Sequence, residues 1–278
     1  MTDEPLVVAP KIVVFDSGLG GLTVYKELKR ALPGANYLYI ADSDAFPYGN
    51  LRDDELVTRL LALFDILIAR EHPDICVIAC NTASTIALGP LREHFDVPFV
   101  GVVPAIKMAA EATKSGLFSV LATPGTVKRD YTHDLVRHHA ASCEVKLVGA
   151  SDLADMAEQF MRGEQIDDQK LLAQIRPAFV ENEGRRTDMI ALGCTHYPFL
   201  IEQMRKVAPW SVTFLDPAPA IARRTAAVLS QMTGTRQEGR PPSSDRLIYT
   251  GENNIADNIK NFLHEIGLAD VYRDEIIG

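Results

Sequence analysis

The stretch ICVIACNTAS, residues 75–84, decides the architecture. Apolar and small residues follow one another without alternation, as in a strand covered on both faces. Cys80 closes the run, and Asn81, Thr82 and Ser84 open what reads as a helix. The plan recurs in TDMIALGCTHYPFL, residues 187–200, where Cys194 ends the apolar run and Thr195 and His196 follow.

Outward from these two stretches, further strand-like runs appear at residues 11–16, 36–42, 97–102, 117–123, 143–149, 211–216 and 245–251. Amphipathic stretches at 53–70, 124–139 and 167–183 lie between them. Strands alternating with helices predict an α/β fold with largely parallel sheets. Polar punctuation at 105–116 and 233–244 divides the chain into two halves. In open parallel sheets ligands bind beyond the carboxyl ends of the strands. Asp16, Ser17, Asp42, Cys80, Asn81, Thr123, Cys194, Thr195 and Asp216 all stand at such ends.

Bulk properties narrow the function. The 278 residues suffice for two domains, and the net charge of −9 argues against broad nucleic-acid binding. The N-terminus carries two acids and no basic region before its first apolar run, so no secretory signal is expected. No apolar run approaches the roughly 20 residues of a membrane span. The expectation is a cytoplasmic protein without membrane partners. Four cysteines, none in a CxxC pair, read as free thiols rather than disulfides or a metal site.

Cys76 and Cys143 read as small buried hydrophobes. Cys80 and Cys194 differ, because each starts a polar turn before a helix, where N-terminal donors favour the thiolate. A Cys–His hydrolase would use Cys194 with His196 and leave Cys80 unexplained. A cysteine-phosphatase loop would want an arginine about six residues on, where Ile86 and Leu200 stand instead. Two facing thiols suit removal and return of a proton with inversion. DSGLGGLTV, residues 16–24, lacks both the GxGxxG spacing and a Walker lysine, so it is a weak phosphate cradle. Its glycines supply backbone freedom for a tight turn, and Asp16 and Ser17 are placed to bind an ammonium or orient a thiol. Glu158, at the edge of the apolar stripe Leu153, Met156, Ala157, Phe160 and Met161, reads on its own as a solvated boundary glutamate.

Taken in order, DSGLGGLTV, PYG (47–49), CNTAS (80–84) and GCTHYPFL (193–200) closely resemble the glutamate racemase family, as do GVVPA (101–105) and LATPGTVKRDY (121–131). The resemblance runs from about Lys11 to the C-terminus. It implies a cofactor-independent, metal-free racemase making D-glutamate for peptidoglycan. It also implies two doubly wound α/β domains related by a pseudo-twofold axis, with the active site in the cleft between them. Residues 11–104 with 214–278 would form the first domain and 105–213 the second. Carried over, Cys80 exchanges the α-proton of D-glutamate and Cys194 that of L-glutamate, assisted by Asp16 and His196 respectively. Ser17, Tyr48, Gly49, Asn81, Thr82 and Thr195 would hold the amino acid together with Asp16 and His196, with Thr123 and Thr126 as further candidates. Many members carry a glutamate near the second cysteine's pocket, and Glu158 in GASDLADMAEQF (149–160) is the best-placed counterpart. Some relatives are activated by a cell-wall precursor, which makes such a precursor a candidate partner. A homodimer is the prior for oligomeric state.

Two other readings remain open at this level. One is a sister activity: racemisation of aspartate or hydantoin, or decarboxylation with a single cysteine. The other is a non-catalytic binder of an acidic amino acid or of a partner protein.

Overall fold

The computed structural model describes residues 9–232, 244–251, 255–268 and 270–274. Most of the 233–244 break lies outside them, as does the segment before residue 9. The chain begins β1 (Lys11–Asp16), α1 (Leu22–Ala31), β2 (Asn36–Ala41), α2 (Asp53–Glu71), β3 (Ile75–Ile78), α3 (Asn81–His94) and β4 (Phe99–Gly101). It continues with α4 (Ile106–Ala112), β5 (Leu117–Ala122), α5 (Pro124–Lys128), α6 (Asp130–His139), β6 (Glu144–Gly149), α7 (Leu153–Met161) and α8 (Asp168–Ile175). A short hairpin, β7 (Glu181–Asn182) with β8 (Arg185–Arg186), precedes β9 (Met189–Gly193), α9 (Ile201–Val207) and β10 (Thr213–Leu215). Last come α10 (Ala218–Gln231), β11 (Arg246–Tyr249), α11 (Asp257–Glu265) and β12 (Asp270–Arg273).

The expected α/β architecture is present as two parallel sheets. The first has the order β12-β11-β2-β1-β3-β4 and the second β10-β9-β5-β6. In each, an early strand lies inside and the chain winds out to both sides. Such winding leaves a topological switch point, between β1 and β3 in the first sheet and between β5 and β9 in the second.

Alternate side chains of β1 divide between the two faces of the first sheet. Ile12 and Val14 pack with Leu22, Tyr25 and Leu28 of α1, while Val13 and Phe15 pack with Leu60 and Phe64 of α2. Burying one such side chain contributes about 1.5–3 kcal/mol, so the strands are held in register from both sides. In the second sheet Leu121, Ile190 and Leu192 face α7 to α9, and Phe118, Val120 and Ala191 face α4 and α6.

Several local expectations are corrected. The 105–116 break contains α4, whose Ile106 and Ala109 are buried under the second sheet. The 124–139 stretch is two helices, because Arg129 is extended at φ −79° and ψ 141°. The 167–183 stretch ends as an α-helix at Ile175, and Pro177 follows in a single 3-10 turn. β10, which spans the expected 213/214 domain boundary, pairs with β9.

Candidate active site

Each switch point carries reactive side chains. Asp16 ends β1 and Cys80 follows β3, while Thr123 follows β5 and Cys194 follows β9. The four therefore come from the carboxyl edges of two separate sheets. Thr195 of the second sheet reaches across, its hydroxyl donating to Asp16 Oδ1 at 3.5 Å. Thr23 of α1 donates back to the Thr195 carbonyl at 3.3 Å.

Cys80 caps α3 and is buried, with its Sγ 3.7 Å from the Ser17 hydroxyl. The helix-end argument expects a lowered pKa here, and the structure gives the reverse. Burial pushes the thiol well up, and the charge on Asp16 pushes it further. The Ala83 N–H at the helix start and the Ser17 hydroxyl pull the other way and are outweighed. Asp16 accepts from the N–H groups of Gly18 at 3.2 Å and Gly21 at 3.0 Å. Its carboxyl is nonetheless raised, because burial outweighs the pull of His196 and of these two donors.

Cys194 has a different environment. No α-helix starts directly after it: a 3-10 turn, Tyr197–Leu200, intervenes before α9. Its neighbour is His196, with Nδ1 3.9 Å from Sγ. His196 Nε2 lies 2.9 Å from Glu158 Oε1, and that oxygen also accepts the Leu19 N–H at 3.2 Å. Glu158 is thus no solvated boundary residue: its side chain is 13 % exposed and points into the site from α7. Burial opposes charge on both partners, but their mutual bond wins. The Glu158 carboxyl is held below the usual range, and His196 retains its proton well above its ordinary value, with Cys194 contributing. The Gly20 N–H also approaches Nε2, at 3.1 Å. One nitrogen cannot accept from Gly20 and donate to Glu158, and the charge-assisted bond is the stronger. Nε2 therefore carries a proton directed at Glu158.

The glycine-rich turn permits this approach. None of Gly18, Gly20 or Gly21 has a positive φ, so backbone freedom is not why glycine is needed. Space is the reason. A Cβ on Gly20 would sit 2.3 Å from His196 Nδ1, inside the ring's own volume.

The remaining candidates fall into two groups. Asn81 is buried, and both its amide atoms lack a hydrogen-bond partner among the described residues. Such an orphaned amide is costly unless a ligand completes it. Thr82, Thr123 and Thr126 form a chain of hydroxyls, 3.5 Å and then 2.9 Å apart. Tyr48 is buried nearby, but its hydroxyl is committed, donating to Asp42. Gly49 is exposed, with open space where a side chain would be. Asp216 accepts the Ala218 N–H at the start of α10 at 2.9 Å.

Sequence reasoning missed the support beneath Tyr48. Asp42 is fully buried and accepts both Arg59 Nε and Nη2 at 2.6 Å and the Thr250 hydroxyl at 2.7 Å. It also left out Phe46, whose ring centroid stands 5.4 Å from that of His196. Among the described residues, no group of three His, Cys, Asp or Glu side chains is disposed to hold a metal ion. No described helix is long and apolar enough to cross a membrane.

Comparison with known proteins gives the family and the fold. The family model described as Asp/Glu/hydantoin racemase matches residues 12–225. The glutamate racemase of Brucella canis is 55 % identical over 225 residues, covering 80 % of this chain and 81 % of its own. That of Agrobacterium fabrum is 54 % identical over 214 residues, covering 77 % and 78 %. Among solved structures, Escherichia coli glutamate racemase in complex with L-glutamate and its activator UDP-MurNAc-Ala superposes with a TM-score of 0.87. It shares 37 % identity over 96 % of this chain and 98 % of the other. With two sheets meeting at their switch points and a cysteine standing at each, the chain belongs to the Asp/Glu/hydantoin racemase family.

Proposed function

We propose that this protein interconverts L- and D-glutamate by proton transfer between Cys80 and Cys194, in a cleft between two domains that follow the two sheets. One observation carries the reading: each thiol has its own proton-handling partners, Ser17 and Asp16 for Cys80 and the His196–Glu158 pair for Cys194.

In the L-to-D direction the Cys194 thiolate takes the α-proton of L-glutamate, and the electron pair left on carbon spreads into the α-carboxylate. The Cys80 thiol then gives its proton to the opposite face, yielding D-glutamate and a Cys80 thiolate. The reverse direction exchanges the roles. Burial and Asp16 favour the protonated form of Cys80, the form that donates in the L-to-D direction. Once Cys80 is a thiolate, a proton must return to it and one must leave Cys194 before the next L-to-D turnover.

An α-proton beside a carboxylate is weakly acidic, so a thiolate alone is insufficient. Preorganised donors around the developing charge supply the remainder. The unpartnered Asn81 amide, the hydroxyls of Thr82, Thr123, Thr126, Ser17 and Thr195, and the backbone of Tyr48 and Gly49 are the groups available. Because the Tyr48 hydroxyl serves Asp42, that residue acts through its backbone and ring.

The same reading makes D-glutamate a cytoplasmic product for cell-wall synthesis. It also makes a cell-wall precursor a candidate activator, as UDP-MurNAc-Ala is for the E. coli relative. Racemisation assays on L-glutamate, L-aspartate and a hydantoin, run side by side without cofactor, test it. Glutamate turning over well ahead of the others is expected. Aspartate or hydantoin ahead of glutamate would overturn the substrate assignment.

A further inference from the structure

Both thiols, Asn81 and His196 are buried at the seam where the two sheets meet. At one end of that seam His196 and Glu158 meet the backbone of Leu19 and Gly20. At the other end α5 leans on α3, with the Thr123 and Thr82 hydroxyls 3.5 Å apart.

Just outside this second contact lies a cavity of about 460 Å³. Thr85 lines it one turn beyond Asn81 and Thr82, and Gly125 lines it two residues beyond Thr123. Its charged groups balance, Lys128 and Arg129 against Asp53 and Asp130. The cavity thus adjoins the α3–α5 contact that carries Thr82 and Thr123.

Arg129 is the residue at which the expected single helix breaks, and the break turns its side chain across the seam. There the guanidinium pairs with Asp53 at the start of α2. A Cβ on Gly125 would lie 3.9 Å from its Nη2. Its Nε is buried and has no hydrogen-bond partner among the described residues. The two members of the pair differ: Arg129 is 19 % exposed and Asp53 62 %. A guanidinium offers five donors in a planar fork suited to carboxylates, and a solvated aspartate is a readily displaced occupant. Since the whole chain carries −9, an anionic substrate needs a local cation on its way in.

We propose that Arg129 forms an entry subsite for the side-chain carboxylate of an acidic amino acid, exchanging Asp53 for it before the substrate passes Thr82 and Thr123. This rests on the glutamate reading above. It separates two roles for the ion pair. If the pair only clamped the two sheets together, removing either partner would have the same effect. An entry subsite makes the two effects opposite.

The test is steady-state kinetics on full-length wild type, Arg129→Gln, Arg129→Lys and Asp53→Asn, in both directions and across salt concentrations. Arg129→Gln is expected to raise KM for both enantiomers about fivefold, the scale of one partly exposed ion pair, with kcat little changed. It should also flatten the salt dependence of kcat/KM, and Arg129→Lys should restore most of that dependence. Asp53→Asn, which frees the guanidinium, should lower KM. A rise in KM for Asp53→Asn, or an unchanged KM and salt response for Arg129→Gln, would overturn the entry subsite. Wild-type turnover of glutamate separates the two claims. Its absence refutes the glutamate reading and the subsite together, whereas normal wild-type turnover with unaltered variants refutes the subsite alone.

Discussion

Gly20→Ala is the substitution whose consequence the geometry fixes most closely. The added methyl would stand 2.3 Å from His196 Nδ1, 2.6 Å from Cε1 and 2.7 Å from Cγ. Carbon and nitrogen not bonded to each other need more than about 3.3 Å, so the ring must move by about 1 Å. It has little room, with Phe46 at a 5.4 Å centroid separation and Glu158 bonded to Nε2. A displacement of that size at the reacting groups costs on the order of 100-fold in rate. The overpacking itself should destabilise by about 1–3 kcal/mol. L- and D-glutamate are mirror images with equal free energy in water, so kcat/KM must fall equally in both directions. Racemisation followed by circular dichroism, with a thermal melt on the same sample, reads both effects. Gly34→Ala, where nothing lies within 4 Å of the new methyl, is the control and should match wild type. Folded Gly20→Ala enzyme retaining a third or more of wild-type kcat would refute the coupling of this turn to His196.

Further outcomes follow from the charged groups. The Glu158 carboxyl is lowered, so its contribution is present above the ordinary carboxylate range and is lost only as pH falls through that lowered value. His196 is raised, so its contribution persists through neutrality and is lost as pH rises through the raised value. Glu158→Gln removes the charge that holds the His196 proton, so the basic limb of the stability–pH and rate–pH profiles should move to lower pH. The lost charge-assisted bond should also lower kcat about tenfold, on a scale of ~1.5 kcal/mol; an unmoved basic limb would contradict the pairing. Arg59→Met strands the buried Asp42 carboxylate and should cost about 3 kcal/mol in urea unfolding. Arg52→Met, at an exposed pair with Asp54, should cost nothing measurable, and equal effects would contradict the role given to Asp42.

The strands were legible because they are buried on both faces, which leaves runs such as KIVVF and ICVIA without polar interruption. β12 was not, since DVYR at the sheet edge mixes polar and apolar residues and is half solvent-exposed. The helix from 124 to 139 kept an unbroken amphipathic pattern through Arg129, whose backbone is nonetheless extended as the N-cap of α6. Strand-end logic pointed to Asp16, Cys80, Thr123 and Cys194, because the carboxyl edge of a parallel sheet can be inferred from the strands alone. Glu158 and Arg59 could not be singled out in that way. A polar residue on an amphipathic helix has the same local pattern whether it meets water or a buried charge on another element, and only the tertiary fold distinguishes the two. The pKa of Cys80 was misjudged for a related reason: the helix end is local and readable, whereas the burial and the Asp16 charge that outweigh it are not.

The central claim is that two thiols, one on each face of the α-carbon, share the proton transfer. The most direct measurement follows L-glutamate in D₂O under reducing conditions, reading optical inversion and α-proton NMR together for wild type, Cys80→Ala and Cys194→Ala. Two thiols predict that deuterium appears first in the D-glutamate product while the remaining L-glutamate keeps its proton, and that neither variant inverts substrate. Deuterium entering L-glutamate as fast as D-glutamate forms, or inversion surviving in either variant, would contradict it.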